Sequence, residues 1–172
     1  CIRDREVRHR QALLGADGRD DLFGVGLHVA RPRGGLERFV VDLVDDIRAV
    51  AELALQEGLA GVIATNTTIA RPDSLTSAES TVTSIGTGGL SGPVLNGRSL
   101  EVLDILVDSR DGMRADGTAA RLAVISCGGV ETAEQVKERL DRGADLVQGY
   151  TGMIYEGPAW PGRIHRDLAT LV

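Results

Sequence analysis

Apolar positions in this chain switch repeatedly between a short unbroken run and a helical period. Val40, Val44, Ile47, Val50, Ala51, Ala54 and Leu55 recur at helical spacing from residue 36 onward, and Gly58 predicts the stop. Residues 59–64 form a short apolar run, the pattern of a buried strand. The Ser- and Thr-rich stretch 70–87 reads as a long loop, and such loops are often functional. A helix is expected over 99–107, then a polar, Gly-containing surface insertion over 108–120. Residues 122–126 predict the next strand, ending in Cys127-Gly128-Gly129. Thr132 followed by Gln135 has capping-box spacing, with Val136 and Leu140 expected on the inner helix face and Gly143 closing the helix. Residues 144–148 predict a last strand, ending at Gly149-Tyr150-Thr151, and a final helix is expected over 161–171. The first 35 residues show no clean period, although Val25, Leu27 and Val29 alternate as in a strand over 22–30, broken by Arg31-Pro32-Arg33-Gly34-Gly35. Strands alternating with helices imply a parallel sheet with covered faces. Residues 59–64, 122–126 and 144–148 are therefore expected to lie side by side and parallel.

Small polar residues and glycines gather where these strands end. Thr65-Asn66-Thr67-Thr68 follows the first apolar run, at the carboxyl edge where α/β folds bind ligands. An Asn there offers two donors and an acceptor in one plane, which suits the edge of a ring carrying amide and carbonyl groups. A turn in which Asn and Thr satisfy local backbone groups explains the same residues equally well. Gly88-Gly89-Leu90-Ser91-Gly92 comes about twenty residues later. Glycines let backbone N–H groups turn toward a phosphate without side-chain obstruction. One Gly-Gly pair is a weak signal. Three such features in consecutive strand–helix units favour an anion site over three unrelated turns. The N–H groups near Gly92, Gly129 and Thr151 are expected to converge on it.

Length and composition narrow the classes. A chain of 172 residues can build one domain, whereas a complete (β/α)8 barrel takes about 250. With Cys1 rather than Met at its start, the sequence is expected to be an incomplete, C-terminal part of a larger enzyme. A net charge of −6 argues against a nucleic-acid surface. Two cysteines make neither a disulfide framework nor a metal set, and no apolar run reaches the ~18 residues of a membrane span. Of 19 Lys and Arg residues only Lys137 is lysine, so chemistry that needs a lysine has one candidate. Cys127 lacks an evident activating partner and reads as a small buried filler. His9, His28 and His165 share no metal or triad spacing, and Tyr155 and Trp160 are expected to pack a terminal helix.

Thr65-Asn66-Thr67-Thr68, Gly88-Gly89-Leu90-Ser91-Gly92-Pro93, Ile125-Ser126-Cys127-Gly128-Gly129-Val130, Leu146-Val147-Gln148-Gly149-Tyr150-Thr151-Gly152 and the ending Ile154-Tyr155-Glu156-Gly157-Pro158 resemble, in order and spacing, the class 2 dihydroorotate dehydrogenases, the quinone-dependent flavoenzymes, and their actinobacterial members in particular. The resemblance covers about residues 44–172, with residues 1–43 a poorly matching N-terminal segment. It implies the fold class: α/β, the C-terminal portion of an FMN-binding (β/α)8 TIM barrel. It also implies oxidation of dihydroorotate to orotate in pyrimidine biosynthesis, with FMN as cofactor and a quinone as electron acceptor. In the full-length family an N-terminal helical segment associates with the inner face of the cytoplasmic membrane. By resemblance, Thr65, Gly92, Gly129, Tyr150 and Thr151 contact FMN, mostly its phosphate and ribityl chain, and Asn66 and Thr67 hydrogen-bond the pyrimidine. The family's catalytic Ser lies in a loop of the barrel's first half that these 172 residues do not contain. The isolated chain is therefore expected to be inactive. The family also carries a Lys close to the flavin on the strand before Thr65, where His28 is the one candidate position here. Two other readings remain open: another FMN-dependent TIM-barrel oxidoreductase (class 1 or dihydropyrimidine-dehydrogenase-like), and a non-catalytic phosphate-binding half-barrel.

Overall fold

The computed structural model describes residues 25–30, 36–41, 44–72, 75–86, 88–115 and 122–171. Its centre is a five-stranded sheet in the order β2-β1-β3-β4-β5, formed by β1 (Val25–Ala30), β2 (Leu36–Val41), β3 (Gly61–Ala64), β4 (Ala123–Cys127) and β5 (Leu146–Gln148). The three strands expected to be neighbours are neighbours. Val62 pairs with Val124 and Ser126 with Val147, and both ladders are parallel.

Helices make the crossovers. After β2 comes α1 (Val44–Gln56), after β3 the short α2 (Glu79–Ile85), then α3 (Asn96–Ala115), α4 (Ala133–Asp141), α5 (Thr151–Glu156) and α6 (Trp160–Leu168). A single 3₁₀ turn, Pro93–Leu95, leads into α3. Asp45 and Asp46 sit in the first turn of α1, where carboxylates suit the helix dipole. Its Ile47, Ala51 and Ala54 are buried, one residue per turn. They meet Val102, Leu103 and Leu106 of α3 and the sheet residues Val62, Ala64 and Val124 in one apolar cluster. The other sheet face, bearing Ile63, Ile125, Cys127, Leu146 and Gln148, is less covered, and Leu146 is 59% exposed.

Several expectations need correction. Residues 36–41 are a strand, and the helix begins only at Val44. Leu36, Phe39 and Val40 fall at the i, i+3, i+4 spacing of a helix, and pairing with β1 overrides that local pattern. That pairing is antiparallel, as is β1 with β3, so β1 and β2 form a hairpin at one edge of a sheet whose other three strands are parallel. The predicted loop 70–87 contains α2. The predicted insertion 108–120 begins as more helix, since α3 runs to Ala115, and residues 116–121 lie outside the described residues. The extra turns are held by Arg110, buried although charged, which donates from Nη1 to Asp145 at 2.9 Å and to Gly143 O at 3.1 Å. The last stretch contains two helices, with α5 unforeseen. Cys1 and His9 fall outside the described residues.

The capping box at the start of α4 is formed. Gln135 N–H donates to Thr132 Oγ1, and Gln135 Oε1 accepts from Thr132 N–H. Its buried face differs from expectation, for Arg139 is fully buried and Leu140 is 38% exposed.

Candidate functional site

The strand ends and the glycine turns meet at the carboxyl edge of β3 and β4. Thr65 follows β3 directly and is buried. Its N–H donates to Cys127 O at 2.6 Å and its hydroxyl to the same oxygen at 3.2 Å, locking the end of β3 to the end of β4. The peptide between Ala64 and Thr65 is cis. Beyond Cys127 the chain turns through Gly128 and Gly129, with φ of +115° and +72°. A Cβ on Gly128 would lie 2.8 Å from the Thr65 hydroxyl, and one on Gly129 would lie 2.5 Å from Asn96 N. Both conformation and space therefore require glycine at Gly129.

The second glycine segment reaches the same place. Gly92 precedes the 3₁₀ turn into Asn96, the residue against which Gly129 packs. A Cβ on Gly92 would touch Thr151 Cγ2 at 3.5 Å, and the Thr151 hydroxyl donates to Ser91 Oγ at 3.1 Å. Gly92, Gly129 and Thr151 are thus gathered around the start of α3, with Thr65 behind them. Thr151 is also the first residue of α5, whose leading N–H groups have no partner within the helix. The donors available here are hydroxyls and backbone N–H groups, chemistry that fits a phosphate monoester and its hydroxylated chain. Tyr150 stands at the rim, two-thirds exposed.

Asn66 and Thr67 lie on the segment just past Thr65. Asn66 Oδ1 accepts from Thr67 N–H at 2.7 Å, so the local turn occupies its acceptor. Its amide donors make no hydrogen bond among the described residues. The Thr67 side chain lies against Gly89, and Thr68 pairs with Leu90 in an antiparallel bridge. That bridge ties the Asn66 segment to the glycine segment. Arg71 continues the tie, donating to Gly86 O at 3.0 Å and to Gly88 O at 2.6 Å.

Trp160 supports the floor. Its indole lies against Gly149 and Gly152 and donates from Nε1 to Glu131 O at 2.9 Å, packing the terminal helix as expected. Tyr155, expected beside it, is 84% exposed instead. Lys137 pairs with Asp141 on the outer surface of α4, and His165 is exposed on α6. His28 lies on β1 opposite Ile63 of β3. Cys127 is half-buried, and burial raises its thiol pKa against the opposing pull of Arg139 and the Gly128 N–H. It stays a neutral thiol near pH 7.

Sequence reasoning missed Asn96, Ser99 and Arg139. Arg139 Nη2 lies within 2.9 Å of Asn96 Oδ1, Ser99 Oγ and Gly128 O, and Nη1 donates to Gln135 O at 3.1 Å. Burial pulls its guanidinium pKa down, while Glu138 and Cys127 push it up. The signal for Arg139 was faint, because it sits in a run of charged residues that reads as a solvated face. No cluster of three or more His, Cys, Asp or Glu side chains with metal-holding geometry occurs among the described residues. No helix among them is long and apolar enough to cross a membrane.

Comparison with known proteins places this arrangement. The family model described as Dihydroorotate dehydrogenase matches residues 41–172. A Rhodococcus opacus protein named dihydroorotate dehydrogenase (quinone) is 56% identical over 128 residues, which is 74% of this chain and 33% of that protein. An Arthrobacter protein of the same name is 47% identical over 166 residues, 96% of this chain and 43% of its own length. The chain therefore spans well under half of these relatives. The crystal structure of DHODH from Eimeria tenella in complex with ferulenol superposes with a TM-score of 0.63 at 36% identity, over 75% of this chain and 31% of that one. That likeness fits the parallel part of the sheet to a portion of a TIM barrel. The chain belongs to the dihydroorotate dehydrogenase family.

Proposed function

We propose that this chain supplies the phosphate-binding and pyrimidine-reading side of a quinone-dependent dihydroorotate dehydrogenase. The observation that carries the proposal is the gathering of Gly92, Gly129 and Thr151 around the start of α3, with the Thr65 hydroxyl behind them. In this reading FMN supplies two-electron transfer between dihydroorotate, which becomes orotate, and a quinone. Backbone N–H groups of Gly92, Gly129 and Thr151 hold the flavin phosphate, Thr65 and Tyr150 border the ribityl chain, and Asn66 and Thr67 read the amide edge of the pyrimidine. Asn66 has its amide donors to offer a substrate carbonyl, and breaking its short contact to Thr67 N–H would free an acceptor as well. By resemblance to the family, the proton taken from dihydroorotate goes to a Ser on a loop that these 172 residues do not contain, and not to Thr65 or Thr67.

Two assays test the proposal. The full-length gene product carrying these residues, purified with FMN, is expected to convert dihydroorotate to orotate while reducing a soluble quinone analogue. The 172 residues alone are expected to retain little FMN through desalting and to reduce no dye. Absence of orotate from the flavin-loaded full-length product would overturn the activity and leave a flavin-binding protein. Stoichiometric flavin and turnover in the 172-residue chain would overturn the assignment of proton abstraction to a residue elsewhere.

A further inference from the structure

Arg139 is the largest side chain that is completely buried, and among the described residues no carboxylate pairs with it. A buried charge is costly unless its surroundings replace water. Here the replacement is neutral: one side-chain amide oxygen, one hydroxyl and two backbone carbonyls. The Nε nitrogen has no hydrogen-bond partner among the described residues. The interior therefore holds a positive charge that the described residues solvate only in part, and an anion close by would improve its energy.

Its partners are the pieces that frame the glycine turn. Asn96 and Ser99 belong to the first turn of α3, Gly128 is the turn itself, and Gln135 is on α4. Ser99 Oγ lies 2.8 Å from Gly128 O and 2.9 Å from Asn96 O, closing a small network under Gly129. Gly129 in turn rests on the Asn96 backbone.

We infer that Arg139 is a positioning residue for the phosphate cradle: its guanidinium clamps the Gly128–Gly129 turn against the start of α3 and sets a buried positive charge behind the bound phosphate. This deepens, and rests on, the reading of Gly92, Gly129 and Thr151 as a flavin-phosphate site. Arg139 itself touches no ligand. Its effect is on which flavin is held, through a phosphate that riboflavin lacks.

The test measures FMN and riboflavin dissociation constants for the full-length gene product and for Arg139→Met and Arg139→Lys, with circular dichroism and thermal midpoints as folding controls. Wild-type protein is expected to prefer FMN strongly. Arg139→Met is expected to weaken FMN by about 30-fold while changing riboflavin by less than about 3-fold, the scale of losing hydrogen bonds from a charged group. Arg139→Lys, which keeps the charge but not the fork, is expected to fall between the two for FMN. If the Met variant does not fold, the Lys variant decides by the same criterion, a loss confined to FMN. Equal losses for both flavins, or no loss for either, would overturn the role of Arg139 while leaving the cradle standing. A wild-type protein that binds both flavins alike would sink the cradle and the Arg139 inference together.

Discussion

At the scale of single residues the site is built from side chains that are small or absent. Gly129 combines a left-handed backbone with a neighbour 2.5 Å from where a Cβ would sit. Gly129→Ala is expected to cost at least the ~1–2 kcal/mol of the left-handed conformation, plus displacement of Asn96, and to lower the thermal midpoint accordingly. Asn66→Ala is expected to cut kcat/KM for dihydroorotate by about 100-fold with FMN content unchanged, because it removes hydrogen bonds to the pyrimidine and none to the flavin. Loss of flavin in that variant would contradict the division of labour. Cys127 supplies a pH dependence. Burial raises its folded-state pKa above the ordinary thiol value of 9.0, so above that value the unfolded chain loses its proton first. The folded state's advantage is intact below the ordinary value and declines as pH rises toward the raised one. Cys127→Ala is expected to flatten that alkaline decline in urea unfolding curves, and an unchanged slope would count against the burial account. That Thr65, Gly92, Gly129 and Thr151 come together was legible because the strand–helix units that carry them belong to one parallel set, whose carboxyl ends the fold gathers at one edge. Arg139 was not, since the helical period allows either 139 or 140 on the inner face and apolarity favours Leu140. Only the hydrogen-bond acceptors of Asn96 and Ser99, far away in sequence, together with the carbonyl of Gly128, reverse that choice.

At the scale of elements, sequence patterns located the parallel strands and misjudged what surrounds them. The capping box of α4 was readable because it is local, needing only Thr132 and Gln135. Thr132→Ala is expected to cost about 1 kcal/mol in chemical unfolding. The length of α3 was unreadable because its last turns are polar outside and tied inside by Arg110, whose partners Gly143 and Asp145 lie beyond the next strand. Asp145 also accepts from Val124 N–H at 2.9 Å, so one carboxylate joins β4, the start of β5 and α3. Asp145→Ala leaves Val124 N–H without its acceptor and the buried Arg110 guanidinium without this carboxylate, its Nη1 keeping only Gly143 O, and is expected to destabilise the fold by about 2–3 kcal/mol, with Asp145→Asn recovering part. A cost near zero for Asp145→Ala would mean that water replaces the carboxylate freely. The strand at 36–41 escaped because Leu36, Phe39 and Val40 have helical spacing, and only the pairing with β1, a tertiary contact, makes the segment extended.

At the scale of the whole molecule, β3, β4 and β5 with their following helices carry the barrel-like part, and the site lies along their carboxyl ends. The antiparallel hairpin of β1 and β2 departs from an all-parallel barrel, and no local pattern distinguishes parallel from antiparallel pairing for a strand six residues long. The sheet face bearing Ile63, Ile125 and Leu146 is the one that a closed barrel turns inward. Family membership was legible because its motifs fall at successive strand ends, where the fold itself fixes their spacing. The central claim is that these ends form a phosphate cradle, and the most direct measurement is a crystal structure of the FMN-loaded full-length gene product. The account predicts the phosphate within about 3 Å of the backbone nitrogens of Gly92, Gly129 and Thr151, with the pyrimidine edge of bound orotate on Asn66. A phosphate held elsewhere, with these three N–H groups facing only water or protein, would contradict it.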